Sequence, residues 1–140
     1  MGFSQRFSAG ADLEFFHDGR KVLDPVSFEV LRALSATSSI QDAVNLSGVP
    51  YRSAWEYIKN STTALGQDIV SGRSGGHGGG QSSLTSAGRA LLGLYGAVQQ
   101  EQEQLLERIN RQLDRDWSFL AKGEGATLRG EAASRPASRS

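Results

Sequence analysis

A glycine-rich loop directly after a short helix-forming segment is the feature that most limits how this chain can fold. The segment begins at Pro50, which suits the first position of a helix, and Gly66 suits its end. The loop runs from Gly72 to Gly80. Glycine loses more backbone entropy on ordering than other residues, so we expect this loop to be mobile until it binds something.

The residues before this segment predict a β-hairpin and two short helices. Asp18-Gly19, a pair suited to positive φ, separates two strand-like runs, 12–17 and 20–23. An irregular arm is the alternative to this hairpin. Asp24 can cap a first helix of about Pro25 to Ala36, and Ser39 can cap a second one that runs through Ile40, Ala43, Val44 and Leu46.

A tight turn should join the second helix to the third. Gly48 is free to take a left-handed conformation, and Val49 is placed to enter the core between the helices. In the third helix the apolar positions are Ala54, Ile58 and Leu65, with Ser61 where a larger apolar residue is expected. The opposite face carries residues with reach and hydrogen-bonding capacity: Arg52, Ser53, Trp55, Glu56 and Lys59.

The rest of the chain predicts two strands, a long helix and a polar tail. Ile69-Val70 and Ser83-Leu84 can pair across the loop, and Thr85 can cap the long helix. A coiled-coil-like apolar stripe follows, which a second copy of the chain would cover most simply. Its members are Leu91, Tyr95, Val98, Gln102, Leu105, Ile109, Leu113 and Trp117.

Composition excludes several classes of protein. With 140 residues, 38% of them hydrophobic, the chain can build one core. It has no cysteine and two histidines, His17 and His77, so we expect no disulfide and no structural zinc. No apolar run is long enough to cross a bilayer and no signal peptide is visible, which predicts a cytoplasmic protein. Fifteen basic residues balance fifteen acidic ones, so any affinity for DNA must come from local arrangement.

Together these elements predict a mainly α fold with a small β component. It is a winged helix-turn-helix with a long C-terminal dimerisation helix. We divide the chain into an N-terminal arm or hairpin (1–24), the DNA-binding domain (25–85), the dimerisation helix (86–120) and a disordered tail (121–140).

The motifs in this order resemble the N-terminal DNA-binding domain of the molybdate-responsive ModE family of bacterial transcription regulators, itself similar to the helix-turn-helix of LysR-type regulators. The matching strings are Ser38-Ser39-Ile40, Gly48-Val49, Tyr51-Arg52-Ser53-Ala54-Trp55, Gly75-Gly76-His77-Gly78-Gly79-Gly80 and Leu84-Thr85-Ser86-Ala87-Gly88. The resemblance implies binding to double-stranded DNA through the third helix and the wing.

This chain departs from the family at two points. Its full-length members typically carry a lysine in the wing loop where this chain has His77, so a phosphate contact there would depend on pH or be lost. They also continue into oxyanion-binding domains, for which nothing remains after Leu120. We therefore expect neither molybdate sensing by the family's usual route nor any cofactor.

Each candidate DNA-contacting residue has a second interpretation. Arg52 can bridge two acceptors on guanine or be an ordinary surface arginine. Trp55 can stack on a sugar or a thymine methyl, or pack under the wing. Glu56 can orient Arg52 or form a solvated ion pair with it. Lys59 is expected to contact a phosphate, and so are two residues of the wing loop, Arg73 and His77. Tyr51 and Ser53 can contact either phosphates or bases.

Other functions have little support in the sequence. A nucleotide-binding loop would need a glycine-lysine-serine or -threonine motif, or a glycine at the position of Gln81. The carboxylates Glu101, Glu103 and Glu107 resemble a solvated helix rim, and no serine has a plausible histidine partner. We therefore expect no enzyme, no catalytic residue and no metal site.

The leading hypothesis is a homodimeric, sequence-specific DNA-binding regulator that could also pair with a longer relative. A protein-interaction module on the same scaffold is the alternative, motivated by the balanced charge.

Overall fold

The structure is a computed structural model that describes residues 7–72 and 80–121, except for the side chains of 118–121. The chain divides into two compact units. The first is Asp12–Gln100, and the second combines Met1–Ala11 with Glu101–Ser140. The described elements follow the order β1 Phe15–His17, β2 Arg20–Leu23, α1 Pro25–Ser35, α2 Ile40–Ser47, α3 Tyr51–Leu65, β3 Val70–Gly72, β4 Ser82–Leu84 and α4 Ser86–Ala121.

Strands β1 and β2 form the predicted hairpin, with one irregularity in their register that the sequence did not predict. Asp18 and Gly19 turn the chain with φ values of 50° and 79°. The register passes from Phe16↔Lys21 to Phe15↔Leu23, which leaves Val22 as the extra residue of a β-bulge. The bulge explains why two consecutive residues of β2, Val22 and Leu23, are both buried.

Helix α1 begins as predicted behind the N-cap Asp24. The Asp24 carboxylate accepts a hydrogen bond from the Ser27 backbone N–H at 2.9 Å, and the Ser27 hydroxyl closes a capping box. Burial alone would raise the pKa of Asp24, but the hydrogen bonds from Ser27 and the charge of Lys21, 3.0 Å away, outweigh it and lower this pKa. The carboxylate therefore stays ionised and keeps the cap intact at neutral pH.

Helices α2 and α3 form the predicted helix-turn-helix. Ser39 caps α2, and Gly48 takes the left-handed conformation with φ 76°. Val49 is partly buried and packs against the core, as predicted. Leu46 differs from expectation: it is 63% exposed, because it faces away from the residues of α2 that pack inward.

The wing, defined here as β3 and β4, is a two-stranded antiparallel sheet. The Ser82 backbone N–H donates to the Ser38 carbonyl at 2.9 Å, which ties β4 to the segment between α1 and α2. Thr85 caps α4 as predicted, because its hydroxyl accepts from the Gly88 N–H at 3.0 Å. Residues 73–79 of the loop, like the predicted disordered tail from residue 122, lie outside the described residues.

The core of the Asp12–Gln100 unit includes part of the stripe that we expected a second copy to cover. Tyr95 is fully buried, with its ring 4.5 Å from that of Phe28 and 5.0 Å from that of Phe15. Leu91 is also buried. The interpretation of these two residues as part of an intermolecular seam was wrong, because the chain's own first helix and hairpin cover Tyr95. Leu94 and Val98 lie exposed on the same helix.

The second unit has its own contacts. The Phe7 ring stacks on that of Trp117 at a centroid distance of 4.9 Å. Asn110 accepts from the Ala9 backbone N–H at 2.6 Å and donates to its carbonyl at 3.2 Å. Trp117, which we also placed on the stripe, is thus covered on one face by the chain's own N-terminal segment.

Two glycines of α4 make a matched pair for a test of how closely the start of this helix approaches Ile69. A Cβ on Gly88 would lie 2.1 Å from the backbone oxygen of Ile69, whereas one on Gly93 would meet no atom within 4 Å. We expect Gly88→Ala to destabilise the protein by about 1–3 kcal/mol through overpacking, and Gly93→Ala to stabilise it by about 0.5–1 kcal/mol through helix propensity. Urea unfolding followed by circular dichroism checks both values. Equal effects of the two substitutions would contradict the close approach of Gly88 to Ile69.

Candidate nucleic-acid interface

Helix α3 has one buried and one open face. Its buried residues, Ala54, Ile58, Ser61 and Ala64, recur at helical spacing. A helix advances about 100° per residue, so the direction opposite this stripe is occupied by a second group of residues. All of that group are exposed: Arg52, Glu56, Lys59, Asn60 and Thr63.

Asn60 and Thr63 are members of this face that the sequence analysis did not predict. Asn60 lies four residues after Glu56, and Thr63 lies four after Lys59, so the same period that selected the others indicates them. The structure extends the open face to the C-terminal half of the helix.

The cations of this face are not neutralised by described residues. Within residues 7–72 and 80–117, Arg52 and Lys59 have no ion pair, whereas Arg32 pairs with Glu29 at 2.6 Å. The pairing of Glu56 with Arg52 does not form among these residues, so neither version of that prediction holds in this structure. Arg52 and Lys59 therefore retain their donors for an external acceptor.

Tyr51 and Trp55 flank the open face at the start of α3. Their rings meet edge to face with centroids 6.4 Å apart, and the two residues are 49% and 41% exposed. Such a pair offers a large apolar surface of restricted conformation. Ser53 lies to the side of the open face and is only partly exposed.

The first turn of α3 has free backbone donors. Pro50 occupies the N-cap position and gives no side-chain hydrogen bond to the helix. The N–H groups of Tyr51, Arg52 and Ser53 therefore point out of the helix end without a capping side chain. Free N–H groups and the positive end of the helix dipole favour a phosphate group there.

The two wing candidates, Arg73 and His77, lie outside the described residues. The structure describes the strands on either side of them: β3 ends at Gly72 and β4 begins at Ser82. The contribution of either side chain to binding remains a prediction.

The described part of the chain offers little that resembles a catalytic or metal site. No group of three or more His, Asp or Glu residues in it is arranged to hold a metal ion. None of its helices is both long and apolar enough to cross a bilayer. A shallow cavity of about 570 Å³ has Asp68 as its one ionisable side chain and is otherwise lined by Thr62, Gly66, Gln67, Thr85, Ser86 and Ala87.

The helix-turn-helix of α2 and α3, followed by a two-stranded wing and a long helix, defines this protein as a winged helix-turn-helix protein. Comparison with known sequences shows which proteins the chain is similar to. The chain is 31% identical to the molybdenum-pterin-binding protein MopB of Rhodobacter capsulatus over 94 residues, which are 67% of this chain and 35% of that protein.

Two further relatives carry the name of a regulator. The transcriptional regulator ModE of Yersinia pestis is 31% identical over 90 residues, 64% of this chain and 34% of its own length. The DNA-binding transcriptional dual regulator ModE of Escherichia coli (strain K12) is 30% identical over 87 residues, 62% of this chain and 33% of its own length. No protein-family model matches the chain.

The similarity thus spans about one third of the length of these relatives. The matched part of the chain is a ModE-like N-terminal domain, as its motifs predicted.

Proposed function

We propose that this chain is a sequence-specific, DNA-binding transcription regulator without enzymatic activity, acting in the cytoplasm. The observation that carries the proposal is the open face of α3, where Arg52, in the first helical turn, has no ion pair with any described residue. An arginine at that position of a recognition helix can donate two hydrogen bonds to the O6 and N7 atoms of guanine. The names of the ModE relatives support the same function.

In the proposed complex with DNA, α3 would make two kinds of contact, one with base edges and one with phosphates. Arg52, with Asn60 and Thr63 further along α3, faces the base edges, while Lys59 and the free N–H groups of the first turn are suited to phosphates. Tyr51 and Trp55 offer apolar surface to thymine methyl groups or sugars. Arg73 and His77 complete the proposed interface from the wing loop.

We propose further that the regulator acts as a homodimer through α4. Within the Asp12–Gln100 unit, Leu94 is 59% exposed and Val98 is 37% exposed, one turn apart on the same face. A second copy of α4 would remove both from water. A longer relative with a similar helix could take the place of the second copy in a heterodimer.

Selection of bound duplexes from a random library tests the DNA-binding proposal. The full chain is mixed with the library at low salt, and bound duplexes are enriched and sequenced. A palindromic consensus with half-sites about one helical turn apart, or a multiple of it, is expected for a dimer of this class. Affinity should fall only modestly with salt, because few described cations lie on the open face. A library without enrichment after repeated rounds would refute the proposal.

A charge placed on the exposed α4 face tests the dimer. Val98→Glu is expected to weaken self-association at least about 100-fold, because the carboxylate would lose its hydration in the interface. Gln100→Glu adds the same charge to an exposed position of the same helix and serves as the control. Sedimentation velocity at micromolar concentration measures both. A wild-type chain that sediments as a monomer would contradict the homodimer.

A protein-interaction module is the second candidate, and the balanced charge of the chain favours it. Its surface would include Leu46, which is 63% exposed and lies two residues before the turn into α3. The double substitution Arg52→Ala and Arg73→Ala separates the candidates. Loss of DNA binding together with loss of cellular function supports the regulator, whereas unchanged cellular function would support the interaction module.

A further inference from the structure

The β-bulge of the N-terminal hairpin turns one backbone carbonyl towards α3. Val22 has no partner in the β1–β2 register, and its carbonyl accepts a hydrogen bond from the Ser61 hydroxyl at 2.6 Å. Ser61 is 2% exposed and belongs to the buried stripe of α3. Its small, polar side chain thus forms a hydrogen bond between α3 and β2, at the position where an apolar residue was expected.

A second hydrogen bond joins the hairpin to the end of the same helix. The His17 Nδ1 atom lies 3.0 Å from the Ala64 carbonyl. A carbonyl only accepts, so the ring carries its proton on Nδ1 in this contact. Ala64 belongs to the last turn of α3, where carbonyls have no partner within the helix, and His17 supplies the missing donor.

These two hydrogen bonds hold the C-terminal half of α3, whereas Ala54, which is fully buried in the core, holds its first turn. Thr63, on the open face, lies nine residues after Ala54, which corresponds to about 14 Å along the helix axis. A tilt of about 10° around Ala54 would move Thr63 by about 2 Å, several times the tolerance of about 0.5 Å for a preorganised binding group. The orientation of α3 therefore depends on its attachment to the hairpin.

We propose that Ser61 and His17 are positioning residues through which the β1–β2 hairpin fixes the orientation of α3, and thereby the discrimination between DNA sequences. This inference rests on the proposed function, since it assigns to the hairpin the control of specificity at that same interface. Neither residue belongs to the open face of α3, since Ser61 lies on its buried stripe and His17 on β1. Their loss leaves every proposed contacting side chain in place but widens the range of positions that Asn60 and Thr63 sample.

Binding measurements test the effect on specificity. We expect Ser61→Ala to weaken binding to the selected duplex by about 10-fold, while affinity for a scrambled duplex stays unchanged, because phosphate contacts tolerate small shifts better than base contacts. His17→Ala should show a smaller loss of about 3-fold, and His17→Gln should recover it because its amide can donate to Ala64. Ser35→Ala is the matched control, since the Ser35 hydroxyl is exposed and bonds only within α1. All variants are compared at a temperature at which circular dichroism shows them folded.

A second measurement needs no DNA. The chain has no cysteine, so spin labels can be attached cleanly to Arg32→Cys on α1 and Thr63→Cys on α3. Double electron–electron resonance should show a broader distance distribution when Ser61→Ala is added, and no broadening when Ser35→Ala is added. His17→Ala provides the same test should Ser61→Ala fail to fold.

The outcomes separate the positioning role of Ser61 and His17 from the DNA-binding function. An unchanged distance distribution, or an unchanged ratio of specific to non-specific affinity in folded Ser61→Ala protein, would overturn the positioning role. Equal weakening on both duplexes would also overturn it, because that result indicates a smaller folded fraction. If the wild-type chain selects no duplex while the distribution still broadens, the positioning of α3 by the hairpin stands and the DNA-binding function falls.

Discussion

Replacement of Arg52 by alanine is expected to abolish most of the discrimination between the selected duplex and other DNA. The loss of a bidentate contact to guanine corresponds to about 1–3 kcal/mol, or roughly 5- to 150-fold in affinity. The described residues give Arg52 no ion pair that would be broken, so the folded chain should remain stable. Fluorescence anisotropy with labelled duplexes at fixed salt measures the affinity.

Arg32→Ala is the matched control for this substitution. Arg32 is exposed on α1 and pairs with Glu29, so its loss removes the same charge away from α3. It should change the affinity by less than about 3-fold, as expected for a charge outside the contact. Arg52→Lys should restore charge but not the bidentate contact. Equal effects of Arg32→Ala and Arg52→Ala would show that Arg52 acts only through net charge.

Tyr95→Ala should have the largest effect on stability, about 3–5 kcal/mol. Tyr95 is fully buried against the rings of Phe15 and Phe28, and its hydroxyl donates to the Leu13 carbonyl at 2.7 Å. Burial raises the pKa of this phenol, which keeps it protonated and able to donate. For a domain of this size the loss corresponds to a fall in Tm of more than about 10 °C, measurable by calorimetry.

Two further tyrosine substitutions show which part of Tyr95 matters. Tyr95→Phe retains the ring contacts and leaves the Leu13 carbonyl without its donor, which should cost about 1 kcal/mol. Tyr51→Ala removes an exposed ring of the same type and should change stability by less than about 0.5 kcal/mol. If Tyr51→Ala and Tyr95→Ala destabilise equally, α4 does not pack into the core as the structure shows.

Local signals allowed most elements of the fold to be predicted. Asp24, Ser39 and Thr85 cap their helices with the side chains expected of them. Gly48 and Gly66 end α2 and α3 with positive φ. These signals act within a few residues, so the sequence contains all of the information that they need.

Contacts between distant residues were not predictable in the same way. The periodicity of α4 indicated an apolar stripe, but period alone does not show whether the chain itself or a second copy covers it. Leu91 and Tyr95 turned out to be core residues. The hydrogen bond from Ser61 to Val22 joins residues 39 positions apart and depends on a bulge that has no turn residue to mark it.

The candidate site was likewise predictable where helical spacing alone decides it, and not where the pairing of side chains does. The open face of α3 was predicted from helical spacing, and its extension to Asn60 and Thr63 needed only one more turn of the same pattern. The pairing of Glu56 with Arg52 did not appear among the described residues, because suitable spacing permits such a pair but its small gain does not enforce it. Arg73 and His77 stay predictions.

The close approach of Gly88 to Ile69 has a mechanical consequence. The Ile69 carbonyl accepts from the Thr85 N–H at 3.0 Å and leaves no room for a side chain on Gly88. The first turn of α4 and the residue before β3 therefore touch backbone to backbone, with no deformable side chain between them. A rotation of this first turn about the helix axis is therefore expected to move the root of the wing with it.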